Sequence, residues 1–242
     1  MFIRCLVGLV LASSAAAWGA AAKTCAPTNY AAGDIAMAVA ASPNVSPVLK
    51  SSALTWGGAG RSESGGNLCA SNGYSFGVLQ LSRGNLPRGV TPAAYMQESL
   101  QQQVDTWVDQ VGNRSVLSIG YQSLTAALAA GQTIGSTAVT SGMMAACFQF
   151  GPSICANDVA ALQRGQPCGG AIPVNINRAW GRPGAATTDG NGQTICSWGE
   201  VIGANVETAA AACLKPGASC PRSNLTDYPT APAALARVYD LS

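Results

Sequence analysis

Apolar residues recur at three- and four-residue steps along most of the chain between residues 31 and 164, a period that indicates helices. The clearest helix is predicted over residues 91–111, where Thr91 suits the N-cap and Pro92 suits the first helical position. Its apolar stripe consists of Met96, Leu100, Val104, Trp107, Val108 and Val111.

Weaker helical patterns are present before and after this segment. The predicted helices cover residues 31–42, from Ser46 or Pro47 into the low 60s, 115–130, 134–149, 155–164 and 231–240.

Between these helices, residues 65–76 are rich in Gly, Ser and Asn, which predicts a loop or a small hairpin. Residues 165–200 show no period and are expected to be irregular. Glycines at 57, 58 and 60 weaken the second helix by about 1 kcal/mol each relative to alanine. The fold class is therefore mainly α, with a small hairpin or loop and an irregular C-terminal part.

The N-terminus has the pattern of a secretory signal peptide. Residues 1–4 carry one positive charge, residues 5–18 are apolar, and small residues follow at 19–22. The apolar run is too short to favour a membrane anchor. We therefore divide the chain into a signal peptide (1–22), a helical domain (23–165) and an extension packed on the same domain (166–242).

Eight cysteines remain after removal of Cys5, and an even number in an exported chain predicts disulfides. The sequence leaves their connectivity open. Five of the eight lie between residues 155 and 220, so the extension is expected to be disulfide-rich. With no C-x-x-C pair and no histidine, the sequence predicts no metal site.

Charge and composition narrow the chemistry further. The chain has 13 Lys+Arg against 11 Asp+Glu, a net charge of +2, which gives no electrostatic reason to bind nucleic acid. The absence of histidine excludes Ser-His-Asp and Cys-His nucleophilic sites. Acid–base chemistry must therefore come mainly from the carboxylates.

Glu63 is the carboxylate in the most distinctive setting, at the junction of a predicted helix and a glycine-rich loop. Apolar neighbours upstream, Leu54 and Trp56, would raise the pKa of its carboxyl, as a general acid requires. Small residues downstream leave space for a bulky ligand. Gln80 would offer amide groups to a sugar. Tyr74 is the first candidate for a ring on which a sugar stacks, and the further candidates are Trp107, Tyr121, Trp180 and Trp198.

Two motifs in this region resemble a known family. Glu-Ser-Gly-Gly-Asn at 63–67, followed by Phe-Gly-Val-Leu-Gln-Leu at 76–81, resembles the Glu-Ser … Gly-Leu-x-Gln signature of lysozyme-like lytic transglycosylases. This family includes soluble lytic transglycosylases, goose-type lysozymes and enzymes that accompany secretion and conjugation systems. The resemblance covers about residues 45–165 and implies a lysozyme-like helical domain.

The resemblance also implies roles for individual residues. Glu63 would be the acid–base residue, and Ser64 would help to orient it. Gly77 and Gln80 would shape the sugar site beside it. The implied substrate is the glycan strand of peptidoglycan, cut between N-acetylmuramic acid and N-acetylglucosamine without a cofactor.

A third family segment usually contains Tyr or His, and its nearest counterpart here is residues 145–152. No tyrosine stands in this segment, and Cys147 is unusual there. Phe148 and Gln149 are the candidates to face the cleft. The alternative is a core helix that ends at Gly151 and Pro152.

Two further alternatives stay open at this point. A hydrolase would need a second acid, for which Asp105, Asp109 and Asp158 are candidates. The first two lie on the polar face of the 91–111 helix, which favours a solvated surface, and no acid lies between Glu63 and Glu98. A catalytically silent peptidoglycan-binding or secretion-assembly protein would keep the same fold.

The expected location follows from the signal peptide and the cysteines. We expect a periplasmic or secreted protein with no stable membrane span after cleavage. A secretion or conjugation apparatus is a candidate partner, and an antibacterial effector with the same chemistry is a further possibility for its role.

Overall fold

The computed structural model describes residues 25–166, 175–176, 185–186 and 192–213. The predicted signal peptide, the predicted helix at 231–240 and most of the predicted extension lie outside these residues. The expectation that residues 165–200 are irregular is wrong from Ile195 onward, because residues 195–213 form a helix whose apolar residues Ile195, Ile202 and Ala209 are buried. The prediction of a mainly helical chain is confirmed. The helices are α1 (Ala32–Ala41), α2 (Pro47–Ser51), α3 (Ala53–Ser64), α4 (Pro92–Met96), α5 (Leu100–Trp107), α6 (Asn113–Ser115), α7 (Ile119–Ala129), α8 (Ser141–Gln163) and α9 (Ile195–Cys213).

The strands are short and pair only as antiparallel hairpins within the described residues. A 3-10 turn (Arg83–Asn85) follows the first hairpin, and a π-helical turn (Val108–Gly112) joins α5 to α6. The hairpins are β1 (Ser75–Phe76) with β2 (Leu81–Ser82), β3 (Thr133–Ile134) with β4 (Thr137–Ala138), and β5 (Asn175–Ile176) with β6 (Ala185–Ala186).

Helix α3 lies at the centre of the molecule. Every residue from Ala53 to Gly60 is buried, and the helix packs against α1, α8 and α9. Its glycines explain this packing. A Cβ at Gly57 would collide with the carbonyl oxygen of Ala32 in α1, and one at Gly58 would lie 2.5 Å from a methyl group of Val206 in α9. The glycines therefore permit close helix contacts at the expense of helix propensity.

Two predicted helices are divided in the structure. The helix expected from residue 46 into the 60s breaks at Ser52, whose side chain accepts a hydrogen bond from the indole N–H of Trp56. The helix expected over 91–111 begins at Thr91 as predicted but stops after Met96. It restarts because Ser99 and Gln102 form a reciprocal capping box.

The expected helix over 134–149 is wrong in its first part. Residues 133–138 form the hairpin β3–β4 instead, and Gly135 takes a positive φ of 60° in its turn. The helix begins at Ser141, where the side chain of Thr140 accepts a hydrogen bond from the Met143 N–H. Some apolar residues of this segment lie in the hairpin and the others in the helix. The periodicity alone did not show where one element ends and the next begins.

Disulfides are present, as predicted from the cysteine count. They join Cys25 to Cys69 and Cys147 to Cys155, and Cys196 is disulfide-bonded as well. Cys168 and Cys220 lie outside the described residues. A bilayer-spanning helix, with the length and hydropathy that this requires, is not found in the described ranges.

Helix α8 contains a sharp corner at Gly151, whose φ of 82° and ψ of 166° are not helical. Pro152 follows, and it cannot continue the preceding hydrogen-bond pattern. The Cα atoms of Cys147 and Cys155 are 4.6 Å apart, whereas eight residues of straight helix would separate them by about 12 Å. The disulfide thus holds together the two arms of the corner.

The packing of α3 predicts the effect of alanine at Gly57. Although alanine favours helix by about 1 kcal/mol, its methyl group would meet backbone of α1, and such overpacking costs about 1–3 kcal/mol. We expect Gly57→Ala to lower the free energy of unfolding, measured by denaturant titration.

Gly203 on α9 provides the matched control, because a Cβ there meets no atom within 4 Å. We expect Gly203→Ala to leave the stability unchanged or to raise it by up to about 1 kcal/mol. Equal effects of the two substitutions would contradict the close-packing interpretation.

Candidate active site

Glu63 is half-buried in the last turn of α3 and lies at the meeting point of two cavities. The cavities have volumes of about 490 and 320 Å³, and Glu63, Asn72 and Gln80 line both of them. We call the two together the groove. Gly65 ends α3 with a φ of 67°, so the chain leaves the helix direction one residue after Glu63.

Ser64 joins the end of α3 to the second motif. Its hydroxyl oxygen is 2.8 Å from the carbonyl oxygens of both Gly60 and Val78, and it accepts a hydrogen bond from the Gly66 N–H. Ser64 also lines the larger cavity. The contact with Val78 connects the residue next to Glu63 with the middle of the segment 77–80.

The segment 77–80 is held from behind by a buried side-chain amide. The Oε1 atom of Gln103 accepts a hydrogen bond from the Val78 N–H at 2.9 Å. Its Nε2 atom donates to the carbonyl oxygens of Leu68 and Tyr95, both at 3.1 Å. Because Gln103 is completely buried, this single side chain satisfies three backbone groups that have no access to water.

Gly77 is required by this arrangement. Its φ is 77°, and a Cβ there would collide with Oε1 of Gln103 and lie 2.7 Å from a ring carbon of Tyr95. Any other residue would push the segment away from Gln103. Gly77 therefore shapes the site through its lack of a side chain, and it is not itself among the residues that line the groove.

Gln80 lines both cavities, but part of its side-chain amide is already hydrogen-bonded within its own loop. Its Nε2 atom donates to the Gly77 carbonyl oxygen at 2.9 Å, and its backbone has a φ of 48°, a conformation that side-chain-bearing residues rarely adopt. The amide group is thus turned back on its own loop. The prediction that Gln80 faces a ligand with both amide groups stays a prediction, and Oε1 is the atom left for such a contact.

Asn72 is a site residue that the sequence analysis did not single out. Its Oδ1 accepts hydrogen bonds from the N–H groups of Tyr74 and Ser75, so the side chain is fixed in the loop that lines both cavities. An Asn that bonds backbone two and three residues later is typical of a turn, which was the signal available in the sequence.

One side of the smaller cavity is aromatic. Trp107 and Phe148 line it, with ring centroids 5.0 Å apart, and both pack on the buried ring of Trp56. Tyr121 also stacks on the ring of Trp56, with ring centroids 6.3 Å apart. Phe148 therefore belongs to the core and the groove at once, and the two interpretations of segment 145–152 both describe part of its role.

Gln149, near the corner of α8, and Trp198, on α9, are hydrogen-bonded to each other at the wall of the groove. The Trp198 Nε1–H donates to Oε1 of Gln149 at 2.7 Å. Gln149 lines the smaller cavity, and Trp198 lines the larger one with Glu63 and Ser64. Trp198 was one of the further candidates for a sugar platform, and the fold brings it to the same cavity as Glu63.

Tyr74 does not join the other predicted residues. Its side chain is 75% exposed on the loop before β1 and lines neither cavity of the groove. The loop is held there because the Tyr74 carbonyl oxygen accepts a hydrogen bond from the Arg83 N–H. Its predicted role as a sugar platform has no support from this position.

The candidate second acids all lie away from the groove. Asp105 accepts a hydrogen bond from Gln101, and Asp109 accepts one from Asn44. Asp158 is completely buried and accepts a hydrogen bond from the Ile195 N–H, the first residue of α9. Glu63 is therefore the only carboxylate among the described residues that lines the groove.

The described residues contain no group of three His, Cys, Asp or Glu side chains that would hold a metal ion. What the groove combines is one carboxylate, several amides and an aromatic side. This is a set suited to a proton transfer on a neutral polar ligand such as a sugar. The chain matches no protein-family model, no curated protein and no solved structure, so the interpretation rests on these residues.

Replacement of Gln103 by a residue without an amide should destabilise the segment 77–80, which this side chain holds from its buried side. We expect Gln103→Leu to leave the Val78 N–H and the Leu68 carbonyl oxygen buried without partners, at about 1–3 kcal/mol for each such group, while the Tyr95 carbonyl oxygen keeps its bond from the Glu98 N–H. The free energy of unfolding should fall, and hydrogen exchange at the Val78 amide should become faster than in the wild type. Gln122→Leu, at an exposed glutamine of α7, is the control and should change neither measurement.

Asp158 predicts a pH dependence of stability. Burial raises the pKa of its carboxyl from 3.8 to about 7, and the hydrogen bond from Ile195 lowers it by less. Because the folded state holds this proton more tightly than the unfolded state, the contribution of Asp158 to stability is greatest below pH 3.8 and declines up to about pH 7.

We therefore expect Asp158→Asn, which cannot ionise, to reduce the decline in unfolding free energy between about pH 4 and pH 7. Denaturant titrations of the wild type and the variant across this range measure the difference. The same decline in both proteins would show that Asp158 is not its source.

Proposed function

We propose that the protein is a lytic transglycosylase that cuts the β-1,4 bond between N-acetylmuramic acid and N-acetylglucosamine in peptidoglycan. The observation that carries the proposal is the position of Glu63, the one carboxylate of the described groove, at the meeting point of two cavities. A glycan strand that occupies both cavities places a glycosidic bond over Glu63. The resemblance of residues 63–67 and 76–81 to the family signature supports the same assignment.

The proposed reaction needs a single carboxyl group. Glu63 donates its proton to the glycosidic oxygen as the bond from that oxygen to C1 of the muramyl residue breaks. The oxocarbenium-like centre is stabilised by the substrate's own N-acetyl group. The 6-hydroxyl of the same muramyl residue then forms a bond to C1, and its proton returns to Glu63. The products are a 1,6-anhydro sugar and a free 4-hydroxyl, and no water is consumed.

The absence of a second acid from the described groove favours this route over hydrolysis. An inverting hydrolase needs a carboxylate about 6.5–9.5 Å from the acid to activate water, and a retaining one needs it at about 5–5.5 Å. The three candidates, Asp105, Asp109 and Asp158, are engaged elsewhere. An intramolecular hydroxyl needs no such residue, because Glu63 itself receives its proton.

The architecture and the disulfides are consistent with this role. A glutamate at the end of a central helix, followed by a hairpin, is the arrangement that the resemblance to lysozyme-like enzymes implies, and we assign that fold as part of the proposal. Disulfides persist in oxidising compartments, which supports a location outside the cytoplasm, where peptidoglycan lies.

Digestion of isolated sacculi tests the proposal. We expect the oxidised protein to release muropeptides that carry 1,6-anhydro ends, identified by mass spectrometry. Glu63→Gln keeps the shape of the side chain, but its amide can neither protonate the glycosidic oxygen nor accept the proton of the 6-hydroxyl, so the rate should fall by at least about 10²–10⁴-fold. Glu207→Gln, at an exposed glutamate of α9, is the matched control and should release anhydro-muropeptides at the wild-type rate.

The other outcomes identify the alternatives. Muropeptides with reducing ends would show a lysozyme-type hydrolase and overturn the proposed reaction. No release by wild type or variant, with binding to sacculi retained, would indicate the catalytically silent binding protein.

A further inference from the structure

Helix α9 lies outside the stretch of about residues 45–165 that carries the family resemblance, yet it borders the groove. Gln193, just before the helix, and Trp198, in its first turns, line the same cavity as Glu63 and Ser64. Trp198 is only partly buried, since its side chain packs against the core and also lines the open cavity.

The indole ring of Trp198 is held in one orientation. Its Nε1–H is bonded to Oε1 of Gln149 at 2.7 Å, and Gln149 is two residues before the corner of α8 that the Cys147–Cys155 disulfide holds. Since the polar group of the ring is already satisfied, the indole offers the cavity only its apolar surface. Such a surface suits the C–H face of a sugar ring better than a charged or strongly polar group.

Helix α9 itself is fixed to the elements that carry the site. It crosses α8 at Gly199, where a Cβ would lie 2.9 Å from the Met143 backbone nitrogen, so the helices approach at the residue next to Trp198. Its first N–H is bonded to the buried Asp158, and Asn205 donates to the hydroxyl of Ser62 at 2.9 Å. Ser62 immediately precedes Glu63, so α9 and the catalytic end of α3 are linked directly.

We propose that α9 supplies a carbohydrate-binding wall to the groove, with Trp198 as the ring on which an N-acetylhexosamine unit stacks beside Glu63. Gln149 is the positioning residue that sets the plane of this ring. This inference rests on the proposed function for its substrate class, and it adds a binding residue from outside the segment that resembles the family.

Binding measured without cleavage tests the wall. In a Glu63→Gln background, the full oxidised chain is titrated with a soluble β-1,4-linked N-acetylglucosamine hexamer by calorimetry. We expect Trp198→Ala to raise the dissociation constant by about tenfold or more, and Trp198→Phe, which keeps an aromatic ring, to raise it less. Val201→Ala, at a 42% exposed residue of the same helix, is the control and should bind as the parent does.

The unfolding midpoint of each variant establishes whether it is folded. If Trp198→Ala does not fold, the comparison of Trp198→Phe with the parent still tests the proposal. Binding of the hexamer by a folded Trp198→Ala variant to within about twofold of the parent overturns the proposal, as does the absence of any binding by the parent.

The two proposals fail separately. If wild-type protein releases no muropeptides but hexamer binding depends on Trp198, the wall stands and the cleavage reaction does not. If anhydro-muropeptides are released at the same rate by the wild type and Trp198→Ala, the reaction stands and the wall does not.

Discussion

The shape of the groove depends on the hydrogen bonds of one buried side-chain amide, that of Gln103. It accepts from the backbone of Val78 and donates to the carbonyl oxygens of Leu68 and Tyr95, so one side chain connects the two loops around Glu63 with the helical layer behind them. Inside a protein such a bond has no competing water, and an unpaired partner is costly. The glycine at 77 follows from it, because a side chain there would occupy the space of the amide oxygen. A motif glycine is thus explained by a residue outside the motif.

Helix α3 also depends on glycines that allow other groups to approach its backbone closely, at a cost in helix propensity. A helix with glycines at 57, 58 and 60 is intrinsically weak, and it persists because α1, α9 and Leu79 pack directly against its backbone. Burial on all these sides leaves its last turn to border the groove. Glu63 therefore stands at the end of the helix that borders the groove, while the rest of the helix is held by the core. Rigid support of this kind is what a proton donor needs if its position is to be accurate.

The sequence predicted those features whose cause is local. Thr91 and Pro92 mark a helix start, Glu63 and Ser64 stand where a helix meets a glycine-rich loop, and the cysteine count indicated disulfides. The capping box of Ser99 and Gln102 was present in the sequence, but the continuous apolar stripe across it concealed the break. Gln103 carried no signal, because a glutamine in an amphipathic helix is normally solvated. Trp198 was one of five candidate sugar platforms, and the sequence did not favour it because its partner Gln149 is 49 residues away and lies at a corner that only tertiary packing creates.

The corner of α8 explains how the site is built without the aromatic residue expected in its third motif. Gly151 turns the chain, Phe148 enters the aromatic cluster under the groove, and Gln149 reaches α9. Gly151 has no side chain to restrict its backbone, and Pro152 has no N–H with which to bond back to the preceding turn. The Cys147–Cys155 disulfide, buried at both ends, supplies the constraint. Since this bond forms and persists in an oxidising compartment, the constraint on the corner and the location proposed for the protein depend on the same chemistry.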